Sequence, residues 1–195
     1  MFISDKLTTL NLLLKTYYLL LTTYITMNEK YTIISGTNRT GSNTEKIARH
    51  YQQVLKSQGI IPEFITLEGW KSIDKTPEFT QLENDILTPT NKFIFISPEY
   101  NGSIPGVLKL MFDISDYKKA WWGKKALLTG VATGRGGNLR GLEHLTSILH
   151  YLRVIVHPNK LPISSVDKML NGDGTIHDAY TVRAIDAQIL EFIQF

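Results

Sequence analysis

The strongest constraint on the fold is the alternation of short apolar runs with segments of helical periodicity from Lys30 onward. This alternation is typical of βαβ units, in which helices connect parallel strands. Residues 93–96 (FIFI) are apolar at every position, which predicts a central strand covered on both faces. The sequence therefore predicts an α/β fold in which a parallel sheet lies between two layers of helices.

The positions of these runs predict individual elements and their order. Strands are expected at residues 31–35, 61–66, 93–96, 125–131 and 154–156. Helices are expected at residues 42–58, near 79–84, from Pro105 through Phe112, at 141–152, and over the stripe formed by Val182, Ile185, Ile189 and Ile193. If the strand order is 2-1-3-4-5, a ligand would bind at the carboxyl ends of the first and third strands, where the winding direction reverses.

The composition excludes several classes of protein. The chain has 195 residues, of which 43% are hydrophobic and 20% charged, as in an ordinary globular domain. A net charge of +3 on scattered lysines and arginines is too small for a nucleic-acid-binding protein. The chain has no cysteine, and its histidines show no HxxH or HExxH spacing, so no metal site is predicted. We expect small-molecule partners and, by default, a cytoplasmic location.

Residues 1–26 differ from the rest of the chain. Residues 10–25 are rich in leucine, threonine and tyrosine, but this run is interrupted by Lys15 and is shorter than the ~20 apolar residues of a spanning helix. It also lacks the small-residue cleavage site of a signal peptide. We expect residues 1–26 to be an extension without stable membrane insertion and residues 27–195 to form the domain. The alternative is that residues 1–26 form a membrane-associating or packing segment.

Residues 36–44 (GTNRTGSNT) lie between the first predicted strand and the first predicted helix. Backbone N–H groups at a helix start, together with the helix dipole and the Arg39 cation, favour an anion. The lysine of a Walker A loop is absent, because Ser42-Asn43 stands in its place, and no G-x-G-x-x-G pattern occurs. A single phosphate monoester fits the loop. The loop alone is equally compatible with a plain helix cap and a solvated Arg39.

Two further loops, residues 97–103 and 133–138, follow the third and fourth predicted strands and are rich in glycine and polar groups. Tyr100 and Asn101 offer a flat aromatic ring and an amide, which suit a planar heterocycle. If the predicted strand order is correct, all three loops lie at one edge of the sheet.

Three motifs together resemble one family. The segments SGTNRTGSNT (35–44), SPEYNGSIPGVLKLMFD (97–113) and GRGGNLRG (134–141) closely resemble the NADPH-dependent FMN reductases of the flavodoxin-like fold, a group that includes related quinone, azo-dye and chromate reductases. The resemblance covers residues 31–163. It implies a flavodoxin-like three-layer sandwich with a five-stranded parallel sheet, FMN as cofactor, NADPH or NADH as electron donor, a small acceptor and a homodimer.

The resemblance also assigns site residues. It implies that FMN is bound by Gly36, Thr37, Arg39, Ser42, Asn43, Thr44, Pro98, Glu99, Tyr100, Asn101, Gly102, Gly134, Arg135, Gly136 and Gly137. The first six surround the phosphate, and the others line the flavin ring and ribityl chain. No catalytic side chain is predicted, because the cofactor carries the chemistry. Arg135 or Arg140 would either meet a phosphate of NADPH or lie in solvent.

Two further expectations concern single residues and the class of protein. Glu45 occupies a capping-box position, but a carboxylate at the helix start would compete with an anion, so we expect it to point outward. The alternative to an enzyme is a flavodoxin-like electron carrier or redox sensor. Such a carrier is usually acidic, and the slightly basic chain disfavours it.

Overall fold

The computed structural model describes residues 11–17, 29–71 and 74–195. The strands are β1 (Tyr31–Ser35), β2 (Glu63–Thr66), β3 (Lys92–Pro98), β4 (Lys125–Val131), β5 (Ile155–Val156) and β6 (Leu161–Ile163). The helices are α1 (Asn43–Ser57), α2 (Pro77–Leu82), α3 (Gly106–Ile114), α4 (Tyr117–Ala120), α5 (Leu139–Tyr151) and α6 (Ala179–Gln194). A π-helical turn at Glu83–Leu87 and a 3₁₀ turn at Val166–Lys168 complete the list.

Most of the predicted extension, residues 1–26, lies outside the described residues. The exception is a helical segment at residues 11–17, on which Leu12, Leu13, Leu14 and Tyr17 are exposed. Among the residues that the structure describes, none of the helices combines the length and apolar character needed to cross a bilayer.

The sheet is parallel and has the order β2-β1-β3-β4-β5, as predicted. The predicted fifth strand is present as β5, and the structure adds a short sixth strand, β6. β5 pairs with the start of β4 and the additional strand β6 with its end. Between the two strands lies Pro158, which has no N–H to donate to a ladder and is therefore suited to an interruption in an edge strand.

Two apolar cores cover the two faces of the sheet. Along β3, Phe93 and Phe95 belong to one core and Ile94 and Ile96 to the other, because successive side chains of a strand point to opposite faces. The first core receives α3 and α5, and the second receives α1 and α6. Both faces of the central strand are therefore buried, as its uninterrupted apolar sequence indicates.

The buried face of α6 differs from the predicted stripe. Val182 and Ile193 are only half-buried, whereas Gln188 and Phe192 are fully buried beside the predicted Ile185 and Ile189. Gln188 is polar, but its amide is satisfied: Nε2 donates to the carbonyl oxygens of Leu128 and Asn159, and Oε1 accepts from the Tyr51 hydroxyl. A buried amide with all these partners carries little desolvation penalty.

A charged cluster lies at the end of the sheet where the parallel strands begin, here called the amino edge. Lys92 is 1% exposed, and its Nζ lies 2.6 Å from Glu29 Oε2. The same ammonium donates to the carbonyl oxygens of Phe192 and Ile193 at the end of α6. Burial lowers the pKa of Lys92, and Glu29 opposes that shift. This cluster therefore ties α6 to the sheet with a charge that is buried and paired.

Candidate functional site

The loop after β1 passes close to β3 and α3. The Gly36 N–H donates to the carbonyl oxygen of Ile96 at 2.8 Å, which continues the sheet pairing into the loop. A methyl group on Gly36 would lie 2.9 Å from Leu108 Cδ2 and 3.1 Å from that same carbonyl oxygen. Glycine therefore fits here because a side chain would collide with neighbouring groups. The close packing sets the direction in which the chain leaves the sheet.

The start of α1 presents free donors at the end of this loop. Ser42 caps the helix, since its Oγ accepts from the Glu45 N–H at 3.1 Å. The backbone N–H groups of Asn43 and Thr44 have no acceptor within the part of the chain that the structure describes. Unpaired N–H groups and the positive end of the helix dipole attract an anion to this point. The side chain of Thr44 is buried beneath them.

The carboxylate of Glu45 is directed away from the start of α1. Its Oε1 lies 2.9 Å from Arg49 Nη2, one turn along α1. Its Oε2 accepts a hydrogen bond from the Thr66 hydroxyl at the end of β2. The expectation that Glu45 points outward is confirmed, because its carboxylate is held by Arg49 and Thr66 and does not fold back over the helix start.

Tyr100 connects the first loop to the loop after β3. Its hydroxyl lies 2.5 Å from Thr37 Oγ1, and Thr37 is only 1% exposed. The Arg39 guanidinium stacks on the Tyr100 ring, with its carbon 4.1 Å from the ring centroid. The phenol therefore reaches the loop after β1. The resemblance had assigned it to the flavin ring, and the contact with Thr37 was not anticipated.

The loop after β3 contains a tight two-residue turn. Asn101 and Gly102 both have positive φ, 52° and 79° respectively. Tyr100 and Ser103 exchange backbone hydrogen bonds of 2.9 and 3.1 Å across the turn. Asn-Gly is the preferred pair for such a turn, because both central residues must adopt positive φ. The backbone N–H groups of Asn101 and Gly102 have no acceptor among the described residues.

Asn138 anchors the loop after β4 to β3. Asn138 is fully buried, and its Nδ2 donates to the carbonyl oxygen of Ser97 at 2.8 Å. Gly137 is also buried, with a positive φ of 57°, and a methyl group there would lie 2.8 Å from Pro162 Cβ. The sequence motif at residues 134–141 contains Asn138 but assigns it no role. The signal available in the sequence was its position: a polar residue directly after Gly137, between a predicted strand and a predicted helix.

The structure brings the predicted site residues to one edge of the sheet. β1, β3 and β4 are adjacent and parallel, so the loops after them emerge side by side. Direct contacts join the first loop to the second through Thr37 and Tyr100, and the second to the third through Ser97 and Asn138. Exposed members include Arg39, Asn101 and three loop residues after β4, namely Gly134, Arg135 and Gly136. Pro98 is buried at the end of β3, and Glu99 beside it is half-buried.

A metal centre is not part of this arrangement. Within the ranges 11–17, 29–71 and 74–195, the histidine, aspartate and glutamate side chains form no group of three or more that could hold a metal ion. What the loops offer is backbone donors, hydroxyl groups and arginines. Such a donor set suits the phosphate and the ring edge of a phosphorylated heterocycle.

The comparisons with known proteins identify a family for this geometry. A family model described as NADPH-dependent FMN reductase matches residues 30–168. An NAD(P)H-dependent FMN reductase of Pseudomonas aeruginosa is 34% identical over 101 residues, which cover 49% of this chain and 54% of the relative. A 2-hydroxy-1,4-benzoquinone reductase of a Burkholderia species is 22% identical over 156 residues, which cover 75% of this chain and 85% of the relative.

Solved structures show the same fold. The flavoenzyme NAD(P)H:(acceptor) oxidoreductase of Paracoccus denitrificans superposes with a TM-score of 0.72 at 21% identity, covering 85% of this chain and 95% of that one. A flavodoxin of Pseudomonas aeruginosa superposes with a TM-score of 0.57 at 19% identity, covering 85% of this chain and 99% of that one. At these identities the likeness establishes the flavodoxin-like fold, which the strand order already indicates.

Proposed function

The chain belongs to the NADPH-dependent FMN reductase family, and from that premise we propose which of its residues hold FMN at the carboxyl edge of the sheet. Members of this family are oxidoreductases that use FMN with NAD(P)H as electron donor. When bound, FMN would supply the redox chemistry, namely the capacity to take up a hydride from a reduced nicotinamide and to give electrons to a second acceptor. The protein's own contribution is to bind and orient the two molecules and to stabilise developing charge.

The FMN phosphate lies at the start of α1 in this proposal. The carrying observation is the set of unpaired N–H groups on Asn43 and Thr44, with Ser42 beside them and Glu45 turned away. Arg39 supplies the full positive charge, and the Thr37 and Tyr100 hydroxyls supply donors on the side of β3. Gly36 completes this set because its missing side chain lets the loop pack against β3.

The flavin ring and ribityl chain lie between the other two loops. Residues 98–102 border one side, with the free N–H groups of Asn101 and Gly102 directed to the ring edge in this proposal. Residues 134–137 border the other side, where Gly134 and Gly136 allow close approach of the backbone. Fixed N–H donors stabilise negative charge that develops on the ring without any side-chain acid or base. For that reason we assign no catalytic side chain.

The phosphate assignment is tested by comparing FMN with riboflavin, which lacks the phosphate. Calorimetric titration of flavin-free protein should give an affinity for FMN at least about tenfold higher than for riboflavin, because a charge-assisted hydrogen bond contributes about 1.5–3 kcal/mol. Equal affinities for the two flavins would contradict the placement of the phosphate at α1.

The electron acceptor is a small planar molecule in this proposal, such as free flavin, a quinone or an azo compound. The open, exposed character of residues 134–136 and of Asn101 supports a site that such molecules can enter. We also propose a cytoplasmic location, where the reduced nucleotide is available. A steady-state screen of these acceptors with NADPH and NADH tests the class, and rapid turnover of none of them would favour the electron-carrier alternative.

We further propose that the enzyme forms a homodimer. Exposed aromatic and aliphatic side chains around α4 and the end of α5 support a subunit contact: Tyr117, Trp122, Tyr151 and Ile155. Met111 and Phe112 on α3 are unavailable for it, because both are buried in the core. Light scattering should report twice the monomer mass, and Trp122→Ser should shift the molecule toward the monomer. A monomeric wild type would exclude this assembly.

The domain begins after residue 26 in this proposal. The family match starts at residue 30, next to the first strand of the sheet. A variant lacking residues 1–26 should bind FMN with unchanged affinity and unfold at the same denaturant concentration. Loss of either property would assign residues 1–26 to the domain.

A further inference from the structure

We propose that Arg140 and His144 bind a phosphate group of the reduced nicotinamide dinucleotide, and that Ser103 is a positioning residue for His144. This inference rests on the proposed FMN site, because the nucleotide must reach the flavin ring. It concerns a different ligand and different residues, so the two proposals can fail separately.

The first observation is the position of Arg140 over the turn that borders the flavin. A methyl group on Gly102 would lie 3.8 Å from Arg140 Nη1 and 4.0 Å from its Cδ. The guanidinium therefore lies beside the Asn101-Gly102 turn, at the mouth of the site, and Arg140 is exposed. A cation at this point would lie beside a ligand that enters the site to contact the flavin ring.

The second observation is the contact between Ser103 and His144. Ser103 Oγ lies 2.9 Å from His144 Nδ1. The backbone of Ser103 is itself fixed by its paired hydrogen bonds with Tyr100. His144 is exposed and follows Arg140 by one helical turn, so both side chains project from the same face of α5. When Nδ1 accepts from Ser103, Nε2 carries the proton and is free to donate to an anion.

The third observation is the charge balance of this surface. Within the described residues, Arg140 forms no ion pair with a carboxylate. The neighbouring acidic residue on α5, Glu143, pairs with Lys160 and not with Arg140. Glu99 is the acidic residue of the adjoining turn and is half-buried. Arg140 is therefore a cation with no acidic partner among the described residues, and it lies beside the proposed site.

The chemistry of these groups fits a phosphate. An arginine guanidinium presents parallel N–H donors that match two phosphate oxygens, and an imidazole N–H adds a third donor one turn away. NADPH carries phosphate in two places: the pyrophosphate that it shares with NADH, and the 2′-phosphate that NADH lacks. Both sources present the same chemistry, and a comparison of the two nucleotides distinguishes them.

The experiment measures binding of NADP⁺ and NAD⁺ to the FMN-loaded protein by calorimetry, so its readout is independent of turnover. Arg140→Gln should weaken NADP⁺ binding about tenfold, as expected for loss of a charge-assisted contact. The affinity for FMN should be unchanged. Arg183→Gln is the matched control, because Arg183 is an exposed arginine on α6, on the opposite face of the sheet. It should change neither affinity.

The pattern of loss assigns the phosphate. An effect of Arg140→Gln on NADP⁺ alone supports contact with the 2′-phosphate, and an equal effect on both nucleotides supports contact with the pyrophosphate. If Arg140→Gln behaves like Arg183→Gln for both nucleotides, or if the wild type binds neither nucleotide, the proposal is overturned. Failure of the wild type to bind FMN would instead overturn the proposed function.

The role of Ser103 is tested by a double-mutant cycle on NADP⁺ affinity with Ser103→Ala and His144→Asn. If Ser103 acts through His144, Ser103→Ala should weaken binding a few-fold in the wild type and have no effect once His144 is replaced. Equal effects of Ser103→Ala in both backgrounds would refute the positioning role. Unchanged melting temperatures would separate either result from a loss of folding.

Discussion

The two edges of the sheet use charge in opposite ways. At the amino edge, Lys92 is buried and paired with Glu29, and its remaining hydrogen bonds go to carbonyl oxygens of α6. At the carboxyl edge, Arg39, Arg135 and Arg140 are exposed, and none forms an ion pair within the described residues. Paired charge at the first edge holds the fold together, and unpaired charge at the second is available to ligands.

The edge opposite the proposed FMN site carries a cavity. A cavity of about 790 Å³ lies at the amino edge, beside Glu29, Tyr31 and Ile193. The donors that suit a phosphorylated heterocycle lie at the other edge, in open loops. A site built from backbone N–H groups and exposed arginines is better recognised by its unsatisfied donors than by its volume.

The largest expected effect comes from breaking the amino-edge cluster. Lys92→Met removes the buried ammonium that pairs with Glu29 and leaves the carbonyl oxygens of Phe192 and Ile193 without that donor. Lys125 remains near Glu29, so the loss in the free energy of unfolding should be about 3 kcal/mol, at the lower end for a broken buried pair. Urea denaturation measures this loss. The control is Lys109→Met, which removes an exposed partner of Asp113 and should cost less than about 1 kcal/mol. Equal losses for the two variants would contradict a structural role for the buried cluster.

The next largest effect is expected from replacing Arg39, which should weaken FMN binding without lowering stability. Arg39→Ala removes the cation from the proposed phosphate loop and should weaken FMN binding by about tenfold or more. Flavin fluorescence titration measures the affinity. Arg183→Ala is the control, since Arg183 is an exposed arginine on α6 and lies outside the proposed FMN site. An unchanged FMN affinity in Arg39→Ala would argue against the phosphate assignment.

A smaller effect is expected at the contact between the two loops. Tyr100→Phe removes the hydroxyl that meets Thr37 and keeps the ring on which Arg39 stacks. One hydrogen bond contributes about 1 kcal/mol, so FMN binding should weaken by about fivefold. Tyr117→Phe, at an exposed tyrosine of α4, should leave the affinity unchanged. Identical affinities for both variants and the wild type would exclude a contribution of the Tyr100 hydroxyl.

The smallest expected effect is on the pH dependence of stability, and it involves His50 on α1, between the two edges of the sheet. Burial lowers the pKa of His50, an effect that Asp186 on α6 partly opposes. The folded state therefore favours neutral His50, and this contribution is present above the unfolded pKa of about 6.5 and is lost as pH falls through the lower folded value. Between pH 8 and pH 5, the wild type should lose slightly more unfolding free energy than His50→Gln. A larger loss in the variant would reverse the sign of this linkage.

Local patterns predicted most of the fold. β3 was predictable because every position is apolar, and the capped start of α1 because Ser42 follows a glycine-rich loop. The Asn101-Gly102 turn was equally available from local sequence, as the preferred pair for a turn with two positive φ angles. These features depend on residues within a few positions of one another.

Contacts between distant residues could not be predicted in this way. The Gln188 amide appears out of place on a buried helix face until its partner Leu128, 60 residues earlier, is known. Thr37 meets Tyr100 across 63 residues, and Ser103 meets His144 across 41. Each pair depends on which loops the strand order brings together. The periodicity of apolar residues within one segment carries no information about which loops become neighbours.

The most direct test of the central claim is anaerobic mixing of the FMN-loaded protein with NADPH in a stopped-flow spectrometer. If the carboxyl edge holds FMN for hydride transfer, the visible absorption of the oxidised flavin should disappear rapidly and return when a quinone is added. Flavin that stays oxidised in the presence of excess NADPH and excess NADH would contradict the assignment of this protein as an NAD(P)H-dependent flavin reductase.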